Sequence, residues 1–132
     1  MIATYAHGFD GRDLALFLSI WWEDGEIVLP QPVGTVRGHA AIRALVVNEL
    51  WPTWRWSMHV MSNSVTRLEE TTPDHASVLS NVCCIGHDSH GRGQIMAGTY
   101  RDLFVQRGGT WKLAQRTVDM RWEGPVSAFA GT

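Results

Sequence analysis

Four long extended runs in the second half of the chain constrain its fold more than any other feature. They cover residues 54–69, 76–87, 94–106 and 110–122, and short links rich in Gly, Pro, Asp and Ser separate them. Links this short join strands as antiparallel hairpins, because a parallel connection needs a crossover of a dozen or more residues. The second half of the chain is therefore predicted to be an antiparallel meander.

The first half shows helical periodicity instead. It predicts a helix over residues 1–8 that ends at Gly8, a second through residues 14–21, and a third that Gly38 opens and Pro52 stops, with a small hairpin from residues 26–29 and 33–37 before the third. Helices first and hairpin-linked strands afterwards are typical of an α+β domain. We expect the helices to pack on one face of a curved antiparallel sheet and to enclose a pocket with it.

Length and charge limit the domain number and the kinds of partner. The 132 residues are predicted to form one domain over 1–124 with a C-terminal tail over 125–132. A net charge of -2 lacks the basic excess of nucleic-acid binders. Since no apolar run approaches about 20 residues and no signal peptide is recognisable, we expect no membrane partner and a cytoplasmic location. The adjacent Cys83 and Cys84 should face opposite ways in a strand and stay reduced.

Residues 54–63 place a titratable side chain among apolar ones. Alternation puts Met58 and Val60 on one face of the predicted strand and His59 and Asn63 on the other. With apolar residues on both faces, we expect both to be covered, so that His59 needs a hydrogen-bond partner. A backbone carbonyl or a water could serve. A carboxylate would in addition fix the tautomer and raise the basicity of the second ring nitrogen.

Asp10 is the candidate for that carboxylate. Either Asp10 or Asp13 can cap the second helix, and only one of them is needed. If Asp13 caps it, Asp10 is free to point from the junction of two helices toward the sheet. Spacing alone does not establish the contact, because Asp10 and His59 are far apart in the chain.

Three further side chains are candidates for a pocket. Arg116 lies in the apolar part of the last strand and, if buried, needs a carboxylate, an anion or a substrate oxygen. The alternative is a structural ion pair with Asp10 or a helix C-terminus. Tyr5 on the first helix and Tyr100 in a later strand can each turn a hydroxyl into the pocket or simply pack in the core.

Several segments resemble those of the SnoaL-like group of the NTF2-like superfamily. They are Ser19-Ile-Trp-Trp-Glu-Asp-Gly-Glu26, Leu50-Trp-Pro52, His59 followed by Asn63, Val82-Cys83 with Gly98-Thr-Tyr100, and Trp111-Lys-Leu113. The likeness covers roughly residues 2–122 and is strongest to the hexachlorocyclohexane dehydrochlorinase branch. It implies a cone-shaped α+β barrel, often a homotrimer, with a cofactor-free elimination site inside the cone.

The resemblance also assigns site residues. It places the catalytic histidine on His59, its aspartate partner on Asp10 and the pocket arginine on Arg116. Tyr5 stands where the dehydrochlorinases have a catalytic lysine, and a tyrosine at this place resembles the bile-acid dehydratase. The set therefore implies that water, rather than chloride, is the leaving group.

The expected function is a cofactor-independent lyase that removes a proton from carbon and expels a β-leaving group from a small, apolar, cyclic substrate. The same pocket would suit a polyketide cyclase or an isomerase, and a non-catalytic binding module is the third possibility. We expect no cofactor and no metal site, and a homo-oligomer with a trimer favoured over a dimer. The expected substrate-binding residues are Trp21, Trp54, Met61, Asn63, Tyr100 and Met120.

Overall fold

The computed structural model describes residues 1–127, and in it helices precede a long run of strands. The elements are α1 Ile2–Asp10, α2 Leu14–Ser19, β1 Trp21–Val28, β2 Thr35–Arg37, α3 His39–Leu45, a π-helical segment Val46–Leu50, α4 Trp51–Thr53, β3 Trp54–Leu68, β4 His75–Asp88, β5 Gly93–Arg107 and β6 Thr110–Pro125. The predicted α+β class is confirmed.

The strands form one curved, open sheet in the order β2-β1-β6-β5-β4-β3. The predicted meander of β3 to β6 is antiparallel throughout, and β2 pairs with β1 as a hairpin. The expectation of a purely antiparallel sheet is wrong for β1, which runs parallel to β6 and sets Ile27 opposite Arg116. The intervening chain supplies the long crossover that a parallel pair requires.

The helix ends differ from the predicted ones at Gly8, Trp21 and Pro52. Gly8 does not end α1, because it lies against α2, where a Cβ atom would come within 2.6 Å of the Phe17 nitrogen. Its role is close helix contact, and α1 continues to Asp10. Trp21 begins β1 instead of closing α2. Pro52 does not stop the third helical stretch but lies in the first turn of α4, where a missing N–H is tolerated.

The core lies between the inner face of the sheet and the helices. Its fully buried apolar side chains are Phe17, Trp21, Ile42, Val46 and Leu113. The outer face is different: Met58 is 50% exposed and Val60 47%, so the expectation that both faces of residues 54–63 are covered is wrong within a single copy of the chain. β3 is an edge strand, and its outer apolar side chains are open to solvent.

The tail expected over 125–132 begins inside β6, and Val126 N donates to Gly93 O at 2.9 Å. Residues 128–132 lie outside the described range, so the rest of that prediction does too. Within residues 1–127, no helix has the length and apolarity needed to cross a bilayer.

Candidate active site

Asp10 and His59 meet where the end of α1 faces β3. Asp13 caps α2, since its Oδ1 accepts a hydrogen bond of 2.9 Å from Leu16 N. Asp10 is therefore free of capping, and its Oδ1 accepts a hydrogen bond of 2.7 Å from His59 Nδ1. The His59 side chain is 7% exposed and that of Asp10 18%. The fold thus brings into direct contact two residues that are 49 positions apart.

The Asp10 carboxylate accepts two hydrogen bonds besides that one. His59 N donates to Oδ2 at 2.7 Å, and Ser57 Oγ donates to Oδ1 at 2.7 Å. Burial alone would raise the pKa of Asp10, but the hydrogen bonds and the charge interaction with His59 outweigh it and lower the pKa below its usual value. Asp10 is ionised at neutral pH and orients the imidazole.

Aromatic edges hold the His59 ring in place. The ring centroid of Phe9 lies 5.1 Å from that of His59, and the centroid of Tyr5 lies 5.8 Å away, both with the planes steeply inclined. Because Nδ1 donates to an ionised carboxylate, Nε2 is the unprotonated nitrogen of the neutral ring. His59 therefore has one nitrogen engaged and one available as a base.

His59 lines a small cavity of about 100 Å³ between the sheet and the helices. The other lining residues are Phe9, Leu29, Leu50, Trp54, Val82, Cys84, Met96, Tyr100, Val118 and Met120. Most of these side chains are apolar, and the polar groups are the imidazole, one phenol and one thiol. Burial, followed by the nearby Asp10 charge, raises the pKa of the Cys84 thiol to about 12, so it stays neutral. Cys84 Sγ lies 3.9 Å from His59 Nδ1.

A larger hollow of about 480 Å³ adjoins the cavity. Leu50, Trp54 and Met96 line both spaces. The outer hollow carries Asp88 and Glu123 on its wall, so it is more polar than the inner cavity. A ligand beside His59 that outgrew the inner cavity would extend past these three shared residues.

Arg116 is fully buried behind the cavity. Its Nε donates to Asp102 Oδ1 at 2.8 Å and its Nη2 to Asp102 Oδ2 at 2.7 Å. The guanidinium carbon lies 4.1 Å from the ring centroids of both Tyr5 and Tyr100. Burial alone would lower the pKa of Arg116, but the hydrogen bonds and charge of Asp102 raise it overall, so the guanidinium stays charged. The structural ion pair considered for Arg116 exists, but its partner is Asp102 and not Asp10.

The two tyrosines differ in their access to the cavity. Tyr5 is 4% and Tyr100 5% exposed, and their ring centroids lie 5.8 Å apart, edge to face. Burial raises the pKa of Tyr5, and it raises that of Tyr100 further, so both hydroxyls remain protonated donors. Among the described residues, Tyr100 lines the cavity and Tyr5 does not.

The predicted substrate-binding residues have mixed locations. Trp54, Tyr100 and Met120 line the cavity, whereas Trp21 is fully buried in the core. Asn63 is exposed, because a bulge in β3 with φ of 51° at this residue breaks the alternation that predicted an inward side chain. Met61 is partly buried against the core.

Sequence reasoning missed Ser57, Cys84 and Asp102. Strand alternation was a signal for Ser57, which lies two residues before His59 and so on the same face. Cys84 is the β4 partner of His59, but pairs counted back from the link between β3 and β4 set Ile85 there, because the bulge near Asn63 shifts the register by one residue.

Comparisons with known proteins agree on one family. The sequence profile described as SnoaL-like domain matches residues 1–117. A hexachlorocyclohexane dehydrochlorinase from Sphingobium indicum is 31% identical over 92% of this chain and 78% of its own length. The structure of a hexachlorocyclohexane dehydrochlorinase of LinA-type3 from Novosphingobium barchaimii is similar at a TM-score of 0.87 and 26% identity, over 99% of this chain and 88% of that one.

A more distant neighbour supports the fold alone. It is a structure from Novosphingobium aromaticivorans, provisionally assigned as a scytalone dehydratase, with a TM-score of 0.81 and 21% identity over 95% of this chain and 82% of that one. The similarity therefore extends along nearly the whole chain.

Proposed function

The chain belongs to the SnoaL-like domain family of the NTF2-like superfamily, and on that premise we propose that it is a cofactor-independent lyase of the dehydratase type. The observation that carries the proposal is the 2.7 Å hydrogen bond from His59 Nδ1 to the ionised Asp10, beside a cavity that His59 lines. A binding module would have no need of an imidazole oriented in this way. A positioned base of this kind contributes about 10²–10⁴-fold to a rate.

In the proposed reaction, His59 Nε2 takes a proton from a substrate carbon. The electron pair of that C–H bond forms the new double bond, and the bond from the neighbouring carbon to its hydroxyl breaks. The proton on the imidazolium then passes to the departing hydroxide, so that water leaves and His59 is neutral again. Asp10 stabilises the imidazolium while it exists and keeps the ring in its working tautomer.

Hydrogen bonding to the leaving oxygen is assigned to Tyr100 rather than to Tyr5, because among the described residues Tyr100 lines the cavity and Tyr5 does not. Both hydroxyls stay protonated because burial raises their pKa values, which suits a donor to an oxygen that gains negative charge. Arg116 is expected to act through these rings rather than on substrate, since its side chain is fully buried, bonded to Asp102 and stacked on both tyrosines. It is a positioning residue in this account.

The cavity favours a small apolar substrate. About 100 Å³ is well below the 300–1,000 Å³ usual for ligand sites, so the reacting part must be about the size of a single ring. The apolar lining matches this class, and the outer hollow leaves room for a substituent. Halide loss, the reaction named for the relatives, is a further possibility that the same base would serve.

We also propose that copies of the chain associate through the outer face of the sheet. This face exposes Trp56, Met58, Val60 and Trp122 by 45% or more each, and large exposed apolar surfaces mark interaction sites. A second copy offers the same apolar surface and is the simplest partner. We expect a trimer rather than a dimer, as the family resemblance implies.

The proposal is tested with a cyclic β-hydroxy ketone and with hexachlorocyclohexane as substrates. Product masses are measured after incubation with the wild-type protein. The β-hydroxy ketone is expected to lose one water. Hexachlorocyclohexane is expected to lose hydrogen chloride more slowly or not at all. An unchanged product mass with altered chromatographic retention would instead indicate an isomerase, and no change in either compound would contradict the proposed lyase.

A further inference from the structure

The Asp10 carboxylate occupies a position that disfavours its charge. Asp10 is the last residue of α1, and the C-terminal end of a helix repels negative charge. Its side chain is also only 18% exposed. An ionised carboxylate at this place depends on hydrogen-bond donors around it.

Ser57 supplies one of those donors independently of His59. Its Oγ donates to Asp10 Oδ1 at 2.7 Å, whereas the backbone N and the ring Nδ1 donors both belong to His59. Ser57 and His59 share a face of β3 because they are two residues apart, so both reach the same carboxylate. The Ser57 hydroxyl approaches Oδ1 in addition to the imidazole and so restrains rotation of the carboxylate.

We propose that Ser57 is a positioning residue that keeps Asp10 ionised and aligned with His59 for the elimination. The inference rests on the proposed function and deepens it. Ser57 acts through Asp10 and not directly on substrate, because it is not among the described residues that line the cavity.

Few charged groups surround this carboxylate. His59 faces it from β3, and Cys84 from β4 carries a neutral thiol. Arg12 lies two residues further along and directs its guanidinium to the carbonyls of Trp51 and Trp54. Because the hydroxyl of Ser57 bonds the charged form of Asp10, its removal should raise the pKa of that carboxyl.

The test is a graded series at one position. Ser57→Ala removes the hydroxyl, Ser57→Thr keeps it, and Ser57→Cys replaces it with a weaker donor, while Ser62→Ala is a matched control at an exposed serine of the same strand. The Asp10 carboxyl is titrated by ¹³C NMR in the free protein. Ser57→Ala is expected to raise its pKa by about one unit, Ser57→Cys by less, and the other two variants not measurably.

The kinetic readout is kcat/KM as a function of pH. Ser57→Ala should lower the plateau value of kcat/KM by about tenfold and shift the acid limb of the profile to higher pH. Ser57→Thr should restore both to their wild-type values. Circular dichroism identifies any variant that fails to fold. An Asp10 titration in folded Ser57→Ala or Ser57→Cys that matches wild type would overturn the proposal, as would a failure of folded Ser57→Thr to restore it. Since the titration needs no substrate, its result stands apart from whether the protein is a lyase.

Discussion

Asp102 and Arg116 are partners across β5 and β6, joined by hydrogen bonds of 2.8 and 2.7 Å with neither side chain exposed. A buried guanidinium without its carboxylate is costly, because the charge cannot be removed by deprotonation. The pair therefore fixes the wall behind the cavity.

Replacing Asp102 with Asn should destabilise the protein by ~3–5 kcal/mol in urea unfolding, since the Arg116 charge would stay buried with its counter-charge removed. The double variant Asp102→Leu with Arg116→Met removes both charges and should lose much less. Equal stability of Asp102→Asn and wild type would show that the pair does not hold this wall.

The ion-pair partner of Arg116 could not be predicted from the sequence. Gly108 and Gly109, both at positive φ, form the two-residue turn between β5 and β6, and pairs counted back from it place Arg107 opposite Thr110. Continued without interruption, that count sets Asp102 opposite Gln115. A bulge between Leu103 and Phe104 shifts the register by one residue and brings Arg116 there instead. The local sequence does not predict this bulge.

Other parts of the site were accessible from sequence. The hairpin links predicted the meander. The spare carboxylate near Asp13 made Asp10 a candidate partner for His59, and only the fold shows that the two residues meet. The parallel pairing of β1 with β6 could not be predicted from the sequence. Trp21 and Trp22 continue the apolar pattern of the preceding helix, and only tertiary packing places them in a strand.

Tyr100→Phe should lower kcat about 10–100-fold with folding unchanged, because Tyr100 lines the cavity and its hydroxyl can reach a leaving oxygen. Tyr5→Phe is the matched control, since Tyr5 stacks on the same guanidinium from outside the cavity lining. Its effect on kcat should be several-fold smaller. The reverse order would assign the leaving-group contact to Tyr5.

The turn after β4 should respond to acid. Backbone N–H of Arg92, its guanidinium, the N–H of His90 and the Gln94 amide hold the pKa of Asp88 at about 2, below the usual 3.8. A lowered pKa means that the stabilisation is complete above 3.8 and is lost as pH falls through about 2. Wild type should therefore be more stable than Asp88→Asn at neutral pH, with the difference in unfolding midpoint narrowing near pH 2. A difference independent of pH would contradict this assignment.

Met58→Asp should prevent the proposed self-association and leave a monomer, because Met58 is 50% exposed within the apolar outer face and a charge there cannot be desolvated cheaply. Thr72→Asp, in the exposed link between β3 and β4, is the control and should leave the mass in solution unchanged. Light scattering after size-exclusion chromatography gives the masses. A monomeric wild type would exclude self-association through this face.

The most direct test of the account is the rate at which wild type, His59→Gln and Asp10→Asn form the dehydrated product from a cyclic β-hydroxy ketone. If His59 removes the proton and Asp10 orients it, His59→Gln should lose about 10²–10⁴-fold in kcat and Asp10→Asn a comparable factor, with both proteins folded. Turnover by either variant at the wild-type rate would contradict the central claim.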